Sequence, residues 1–351
     1  MDKVIRCAAF LLTLLMLLCM LIIESSEESS RLFMDRIAGL RMKNVVVTES
    51  FPSPSPSPIA PAATATVPPL ITEPAGAGSP APTATPLPVL GHEDIKETTI
   101  TGGLTIKNET SYTVDVPALL SSGTDIVLSS GAPQILIIHT HSSEAYTQAG
   151  LDRYEPSDIH RTEDKKYNII RVGDELTEIY QQAGLNVIHD RGIYDSPSYT
   201  GSYNRSGAAI EEYLSRYPDI SIVIDMHRDA LGSNGIVYKT MAEEDGVCAS
   251  QLMLLTGSDE SGLAHPNWRS NLSLALYLQK AVNSAYPTLM RPVALVPQRY
   301  NQHLTRGSLI LEVGSDGNTL QEALAAIRLF GKATAPALSE LVAQPPADEN
   351  I

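Results

Sequence analysis

Cysteine is nearly absent from this chain of 351 residues, which contains three. Cys7 and Cys19 lie in an N-terminal apolar run, so Cys248 stands alone in the rest of the chain. One cysteine forms no internal disulfide and supplies too few thiolates for a cysteine-based zinc site. Any metal that this protein holds must therefore be bound by histidine and carboxylate side chains.

Signatures of several other chemistries are missing as well. The sequence has no Gly-x-Ser-x-Gly elbow, no P-loop and no dinucleotide fingerprint, so a serine hydrolase or a nucleotide-dependent enzyme is unsupported. Positive charge is also scarce, because 25 Lys and Arg face 40 Asp and Glu, for a net charge of −15. An acidic surface repels phosphate backbones, so the composition predicts no nucleic-acid partner.

The long apolar run covers Cys7–Ile23 and is preceded by Lys3 and Arg6. A helix of this length spans about 26 Å, close to the thickness of a bilayer core. The positive flank predicts that residues 1–6 are cytoplasmic and that the rest of the chain is outside. A cleaved signal peptide is the alternative, but acidic residues follow the run where a small-x-small cleavage site would be needed. We therefore predict a single-pass anchor in the cell membrane.

A compositionally different stretch follows the predicted anchor. Residues 51–90 contain half of the chain's 24 prolines, together with much Ala, Ser and Thr. Such a segment has little to bury and favours a polyproline-like conformation, so residues 24–95 are predicted to be a disordered extracytoplasmic linker. In residues 96–131, polar and apolar residues alternate around a Gly-Gly pair, which predicts a small β segment, either a hairpin or a small subdomain.

Residues 132–343 alternate between short apolar runs and segments of helical periodicity. The predicted strands are PQILIIHT, NVIHD, ISIVIDMH, PVALVP and GSLILEV. The predicted helices are NIIRVGDELTEIYQQAG, YNRSGAAIEEYLSRYP, NWRSNLSLALYLQKAVNSAY and NTLQEALAAIRLFGKATAPAL. This alternation predicts an α/β fold with a mostly parallel sheet and helices on both faces, followed by a tail at 344–351.

Three of the predicted strands end in side chains suited to metal chemistry, and ligands of such folds bind at the carboxyl ends of strands. A single histidine at a strand end is more often a polar cap, but three strand ends together favour function. A catalytic Zn²⁺ activates water, and a nearby carboxylate can take its proton. The candidates are His139, His141 and Glu144 after the first strand, Asp225, His227, Arg228 and Asp229 at the third, and Glu312 at the last.

Six segments follow one another between residues 130 and 335: HTHSSEAY, YNIIRVGDEL, PSYTGSYNRS, IVIDMHRDA, HPNWRSNLSLAL and RYNQHLTRGSLILEVGSDGNTLQEA. In this order they resemble the stage II sporulation protein P family. The resemblance implies a fold similar to zinc-dependent N-acetylmuramoyl-L-alanine amidases. It further implies degradation of peptidoglycan during engulfment of the forespore, as an amidase and as an endopeptidase on stem-peptide cross-links. The implied partners are the sporulation proteins D and M at the septal membrane.

The resemblance also implies that residues 132–343 form a zinc hydrolase domain, and it implies roles for individual residues of that domain. His141 matches the first zinc histidine, His227 the second, and Glu312 the catalytic glutamate. The third ligand stays open between Glu144, in the same motif as His141, and Asp164, which stands where related amidases place a ligand glutamate. Glu144 is preferred because it belongs to the same motif.

Two further residues are candidates for substrate binding. Arg228 either holds a substrate carboxylate or pairs with Asp225 or Asp229, which is the commoner outcome for such residues. His303 lies in a loop before the last predicted strand, where it either lines the cleft or has a structural role.

A second class of function fits the same segments, namely a catalytically inactive wall-binding scaffold that recruits other hydrolases. The presence of an acid at Glu312 argues against this alternative, because an inactive scaffold does not need a catalytic acid at that position. A peptidase without amidase activity would keep the same site, and the preferred bond depends on the shape of the cleft.

Overall fold

The computed structural model describes residues 94–100, 103–233 and 236–343. The predicted cytoplasmic N-terminus, the anchor at 7–23, nearly all of the linker and the tail at 344–351 lie outside the described residues. Within the described ranges, no helix has both the length and the apolar composition that crossing a bilayer requires.

The described residues form strands and helices that follow one another along the chain. The strands are β1 (Asp94–Thr98), β2 (Ile106–Asn108), β3 (Ile135–Ile138), β4 (Val187–His189), β5 (Ile222–Asp229), β6 (Gly232–Ser233), β7 (Ile236–Glu244), β8 (Val247–Ser250), β9 (Leu252–Thr256), β10 (Val293–Leu295) and β11 (Gly307–Ser315). The helices are α1 (Val116–Ser122), α2 (Ile169–Gln182), α3 (Ser202–Arg216), α4 (Trp268–Ala285) and α5 (Leu320–Ser339), with a 3-10 turn at Gln302–Leu304.

Seven of these strands form the main sheet, in the order β2-β10-β9-β11-β5-β3-β4. Neighbouring strands of this sheet are parallel, except that β9 and β11 are antiparallel. The sheet therefore has two parallel halves that run in opposite directions. The predicted α/β class is confirmed, whereas the antiparallel junction between β9 and β11 differs from the prediction, because the five predicted strands do not include β9.

Helices cover both faces of the main sheet. Helices α2, α4 and α5 pack on one face, against side chains such as Ile135, Ile224 and Leu311. Helix α3 packs on the other face, where its Ile210 shares a core cluster with Leu136. Because side chains alternate between the faces of a strand, neighbouring residues of β3, β5 and β11 belong to different layers. This alternation decides which polar side chains lie on the same face of the sheet.

A second, smaller sheet joins strands from distant parts of the sequence. β7 pairs in parallel with β1 and antiparallel with β6 and β8. β2, by contrast, pairs with β10 at the edge of the main sheet. The two strands at the start of the described chain therefore do not form a hairpin with each other, and each extends a different sheet.

The hairpin between β7 and β8 contains a sequence signal that the strand predictions overlooked. Its turn consists of Asp245 and Gly246, which both have positive φ, at 53° and 73°. A two-residue turn of this handedness matches the twist of the flanking strands, and Asp-Gly is among its preferred dipeptides.

Helix α5 links the small sheet to the rest of the protein. It begins with a capping box, in which Thr319 and Glu322 satisfy each other's backbone N–H groups. Glu322 also pairs with Lys239 of β7 at 2.9 Å. The side chain of Asn318 donates to the carbonyl oxygen of Thr240 at 3.1 Å. The small sheet is therefore held against the same end of α5 that follows β11.

Candidate active site at the carboxyl ends of three strands

The carboxyl ends of β3, β5 and β11 lie on one rim of the main sheet, because these strands are parallel neighbours. Glu312 of β11 stands beside His227 of β5 in register. His141 and Glu144 follow β3 in a tight turn, where the backbone N–H of Glu144 donates to the carbonyl oxygen of His141 at 3.0 Å. All four residues are at most 4% exposed. The structure thus brings these four predicted site residues to one rim of the sheet.

Glu144 and His227 are in direct contact. Oε2 of Glu144 lies 3.3 Å from Nδ1 of His227 and accepts the backbone N–H of Arg228 at 3.2 Å. Neither ring nitrogen of His227 has a hydrogen-bond partner. Burial lowers the pKa of His227 well below its ordinary value, so the imidazole is neutral, which is the form that binds metals. Burial raises the pKa of Glu144 to about 7, and the charges of Arg228 and Arg161 oppose that rise.

His141 meets His227 edge to face, with ring centroids 5.3 Å apart and an interplanar angle of 86°. Its Nδ1 lies 3.3 Å from the hydroxyl oxygen of Ser202, at the start of α3. Tyr199 stacks on the His141 ring at 4.1 Å, and Tyr203 contacts its edge at 5.6 Å. The imidazole is therefore held between β5 on one side and the loop and helix α3 on the other.

Glu312 has no exposed surface, and neither of its carboxyl oxygens has a hydrogen-bond partner. Burial raises the pKa of this carboxyl well above its ordinary value. The neighbouring charges of Asp229 and Glu144 raise it further, whereas Arg291 and Arg228 lower it. A buried carboxyl whose pKa is raised in this way holds a proton more readily than an ordinary carboxylate, which is a property of general acid–base groups.

The chemistry of a zinc site can be tested against this geometry. Zinc ligands at about 2.0–2.1 Å in a tetrahedron are about 3.3 Å apart, which matches the contact between Glu144 and His227. Within the described residues, no group of three or more His, Cys, Asp or Glu side chains is close enough to hold a metal ion. Two donors, the Glu144 carboxylate and the His227 imidazole, are thus at ligand spacing, and the imidazole of His141 is the adjacent third candidate donor.

The geometry separates the two candidates for the third ligand. Asp164 is exposed, and its carboxylate accepts the backbone N–H of Lys166 at 3.1 Å. Glu144 is buried against His227. Glu144 therefore has the position that a ligand beside His227 requires.

Arg228 is 5% exposed, and its guanidinium contacts main-chain oxygens. Nε donates to the carbonyl oxygen of Ala145 at 2.8 Å, and Nη2 donates to that of His160 at 2.9 Å. The side chain thus braces the turn after β3. A contact between Arg228 and a substrate carboxylate stays a prediction.

His303 lies in the 3-10 turn before β11, at the end of that strand opposite to Glu312. Its carbonyl oxygen accepts the side-chain amide of Asn267 at 2.9 Å. Burial lowers the pKa of His303, the charge of Arg299 lowers it further, and the charge of Glu211 opposes the shift. The structure does not bring His303 to the rim where Glu312 lies, so its role in substrate binding stays a prediction.

His139 belongs to the opposite face of the sheet from the candidate site. Its Nε2 lies 2.9 Å from Nε2 of His189, and its Nδ1 lies 3.1 Å from the carbonyl oxygen of Met226. Burial lowers the pKa of His139 well below its ordinary value. Of the two histidines in HTH, His141 alone reaches Glu144 and His227, because the chain turns after β3.

Several residues at the site were not predicted. Tyr203 contacts Tyr300 with ring centroids 5.3 Å apart, and the Tyr203 hydroxyl is buried without a hydrogen-bond partner. Arg161 pairs with Asp195 at 2.7 Å and with Glu144 at 3.4 Å. The segment PSYTGSYN resembles the family, but no periodicity or motif in it indicates a contact with His141.

A cavity of about 260 Å³ lies elsewhere, between α1 and α4. It is lined by Leu119, Leu120, Ser121, Ser122, Gly123, Ser273, Tyr277 and Lys280. None of the candidate site residues borders it, and its lining lacks a carboxylate or histidine. We therefore assign the chemistry to the rim of the sheet.

Two solved structures align with the structure of this chain. N-acetylmuramoyl-L-alanine amidase AmiC2 of Nostoc punctiforme is 13% identical, with a TM-score of 0.36, over 60% of this chain and 97% of that chain. The CwlD amidase from Clostridioides difficile, in complex with the GerS lipoprotein, is 15% identical, with a TM-score of 0.36, over 60% and 98%.

Two sequence comparisons identify relatives of this chain. A curated relative, stage II sporulation protein P of Bacillus subtilis (strain 168), is 26% identical over 199 residues, which is 54% of this chain and 47% of the relative. The chain thus matches about half of that relative's length. The family model described as Stage II sporulation protein P (SpoIIP) matches residues 92–335. Because this match covers well over half of the chain, the protein belongs to the stage II sporulation protein P family.

Proposed function

We propose that this protein is a zinc-dependent hydrolase that cleaves peptidoglycan during sporulation. The observation that carries the proposal is the buried Glu312 carboxyl without hydrogen-bond partners, on the strand next to the contacting pair Glu144 and His227. Buried polar groups are normally hydrogen-bonded, so a buried carboxyl without a hydrogen bond, beside an imidazole whose two nitrogens also lack one, indicates a site built to bind a ligand. Membership of the sporulation family supports peptidoglycan as the substrate.

His141, Glu144 and His227 would hold the zinc. When bound, the zinc lowers the pKa of a water molecule and polarises the scissile carbonyl. Glu312 accepts the proton of the attacking water on a carboxyl oxygen and later returns it to the leaving amide nitrogen. Its raised pKa suits this exchange, because a carboxyl of ordinary pKa would return the proton poorly at neutral pH.

The proposed bond is the amide between N-acetylmuramic acid and L-alanine, with a second activity on stem-peptide cross-links. The proposed location is outside the cytoplasm at the septal membrane, through the apolar run at 7–23. The proposed partners are the sporulation proteins D and M. These finer points rest on the resemblance of the sequence segments and on the N-terminal hydropathy.

Mass spectrometry of released muropeptides tests the proposal. The chain from residue 91 onward is incubated with purified peptidoglycan, once with zinc and once with a chelator. Free stem peptides that require zinc support the amidase, and halved cross-links add the endopeptidase. Release of neither product under both conditions, from a protein that still binds the wall, would favour the inactive scaffold.

A further inference from the structure

We propose that Arg161 and Asp195 form a positioning pair that holds Glu144 and His141 in place to bind the metal. This inference rests on the proposed function, since it concerns the same site. It assigns a task to two residues that neither metal-ligand spacing nor the strand pattern indicates.

The two carboxylate oxygens of Glu144 contact different residues. Oε2 faces Nδ1 of His227 at 3.3 Å. Oε1 faces Nη2 of Arg161 at 3.4 Å. Arg161 therefore holds the oxygen that points away from His227, and this contact restricts rotation of the carboxylate. Outer partners of metal ligands act in this way, because they orient the ligand before the metal arrives.

Asp195 holds the guanidinium of Arg161 in place. Nη1 of Arg161 donates to Oδ2 of Asp195 at 2.7 Å, and the Asp195 side chain is 1% exposed. The same carboxylate accepts the hydroxyl groups of Ser142 at 3.0 Å and Ser143 at 2.6 Å. Both serines lie in the turn that carries His141 and Glu144. Asp195 therefore fixes the turn and the arginine together, from a loop about fifty residues away in sequence.

Arg161 also contacts Tyr199, the aromatic residue that stacks on His141. The Arg161 guanidinium carbon lies 5.1 Å above the ring of Tyr199, a distance suited to a cation–π interaction. Tyr199 also stacks on the His141 imidazole, with ring centroids 4.1 Å apart. Arg161 thus acts on Glu144 directly and on His141 through an aromatic ring. The Asp195 carboxylate of this pair is buried, so separating it from the Arg161 guanidinium would leave a charge in a low dielectric, which is costly.

A competing role for Arg161 is direct recognition of a substrate carboxylate, because its side chain is 17% exposed. Arg228 donates to main-chain oxygens in the same region, which makes Arg161 the more accessible cation beside Glu144. The two roles differ in what they change. A positioning residue changes the affinity for zinc, whereas a substrate contact changes KM and leaves the affinity for zinc unchanged.

The test is competition for zinc against a chromogenic chelator, with the full chain in detergent and the variants Arg161→Gln, Arg161→Lys and Asp195→Asn. We expect Arg161→Gln to weaken zinc binding about 10–100-fold. Arg161→Lys should recover part of the loss, because it keeps the charge but not the two-pronged geometry. Combining Arg161→Gln with Asp195→Asn should add little to the single loss, since the pair acts as one unit.

Arg171→Gln is the matched control, because Arg171 pairs with Glu175 within helix α2 at 2.7 Å and contacts no candidate ligand. It should bind zinc as the wild type does. Unchanged zinc affinity in all Arg161 variants, with or without a raised KM, would overturn the positioning role. A wild-type chain that binds no zinc would instead overturn the proposed function itself, so the two failures are distinguishable.

Discussion

At the scale of single residues, Glu312 owes its properties to its surroundings. It lies within β11, where a side chain on this face of the sheet has no water to solvate it. The nearby carboxylates of Asp229 and Glu144 add repulsion, which favours the protonated form. Such a group is costly for stability, and carboxyls with strongly raised pKa values cluster at functional sites.

The substitution Glu312→Gln tests this role with almost no change of shape. We expect kcat for muropeptide release to fall about 10²–10⁴-fold, because the amide cannot accept the proton. Zinc affinity should stay within about twofold of the wild type, since Glu312 is not a proposed ligand. Glu178→Gln, on the exposed side of α2, is the control and should keep full activity. Full activity of Glu312→Gln would remove this residue from the reaction.

His189 is a second residue whose protonation is decided by burial. It is 1% exposed, and burial lowers its pKa from 6.5 to about 4, although Asp174 opposes this shift. Above pH 6.5 both the folded and the unfolded chain carry a neutral imidazole there. Between pH 6.5 and 4 the unfolded chain takes up the proton and the folded chain does not. The contribution of His189 to stability therefore falls as the pH is lowered through this window.

We expect the wild type to lose about 2 kcal/mol of unfolding free energy relative to His189→Gln between pH 7.5 and pH 5. Urea unfolding of both proteins at the two pH values measures this difference. Comparing the two proteins cancels the opposite effect of the buried carboxyls, whose raised pKa values stabilise the folded state as the pH falls. A constant difference between the two proteins would mean that His189 is solvated or charged in the folded state.

At the scale of elements, α2 packs closely against the sheet at Gly173. A Cβ at this position would lie 2.5 Å from Nε2 of His189 and 2.8 Å from Nε2 of His139. These distances are far inside van der Waals contact, and both imidazoles belong to the buried pair below the helix. A residue without a side chain is therefore needed where α2 crosses β3 and β4.

The substitution Gly173→Ala separates packing from helix propensity. Propensity alone would stabilise α2 by about 1 kcal/mol. We expect net destabilisation of about 1–3 kcal/mol, because the added methyl group must displace a buried imidazole. Urea unfolding measures the change. The loss should shrink in a His189→Ala background, where one of the two contacts is gone, and equal losses in both backgrounds would point to another cause.

At the scale of the whole molecule, a buried ion pair connects the two halves of the main sheet. Arg291, just before β10, pairs with Asp229 at the end of β5 at 2.8 Å, and the side chains are 4% and 2% exposed. β10 and β5 are separated in the sheet by β9 and β11. The pair therefore spans the antiparallel junction, where the direction of the strands reverses.

We expect Arg291→Met to lower the free energy of unfolding by about 3–5 kcal/mol, because Asp229 is left as an uncompensated buried charge. Adding Asp229→Leu should recover much of the loss. Arg216→Met removes an exposed pair with Glu212 in α3 and should change stability by less than about 0.5 kcal/mol. Chemical denaturation measures all three, and equal effects of Arg291→Met and Arg216→Met would contradict the importance of burial.

The sequence alone was sufficient for the α/β class and for much of the candidate site. Apolar runs bounded by turn residues predicted β3, β4, β5, β10 and β11, and helical periodicity predicted α2 to α5. Strand ends that carry His141, His227 and Glu312 followed directly from those runs. The strands β6 to β8 were not predicted, although Asp245 and Gly246 are a hairpin signal, because their residues are less regularly apolar. β9 was not predicted either, although its sequence LMLLT is a buried apolar run.

The tertiary structure decided the rest, because contacts between residues far apart in sequence leave no local pattern. Whether His139 or His141 enters the cleft depends on where the chain turns after β3. Glu144 is favoured over Asp164 because only the folded chain brings β5 beside that turn. The contacts of Arg161 and Asp195 likewise form only in the folded chain, because they join the turn after β3 to two segments that are distant from it in sequence. Local periodicity thus determined which chemical groups stand at the ends of the strands, and long-range packing decided which of them touch.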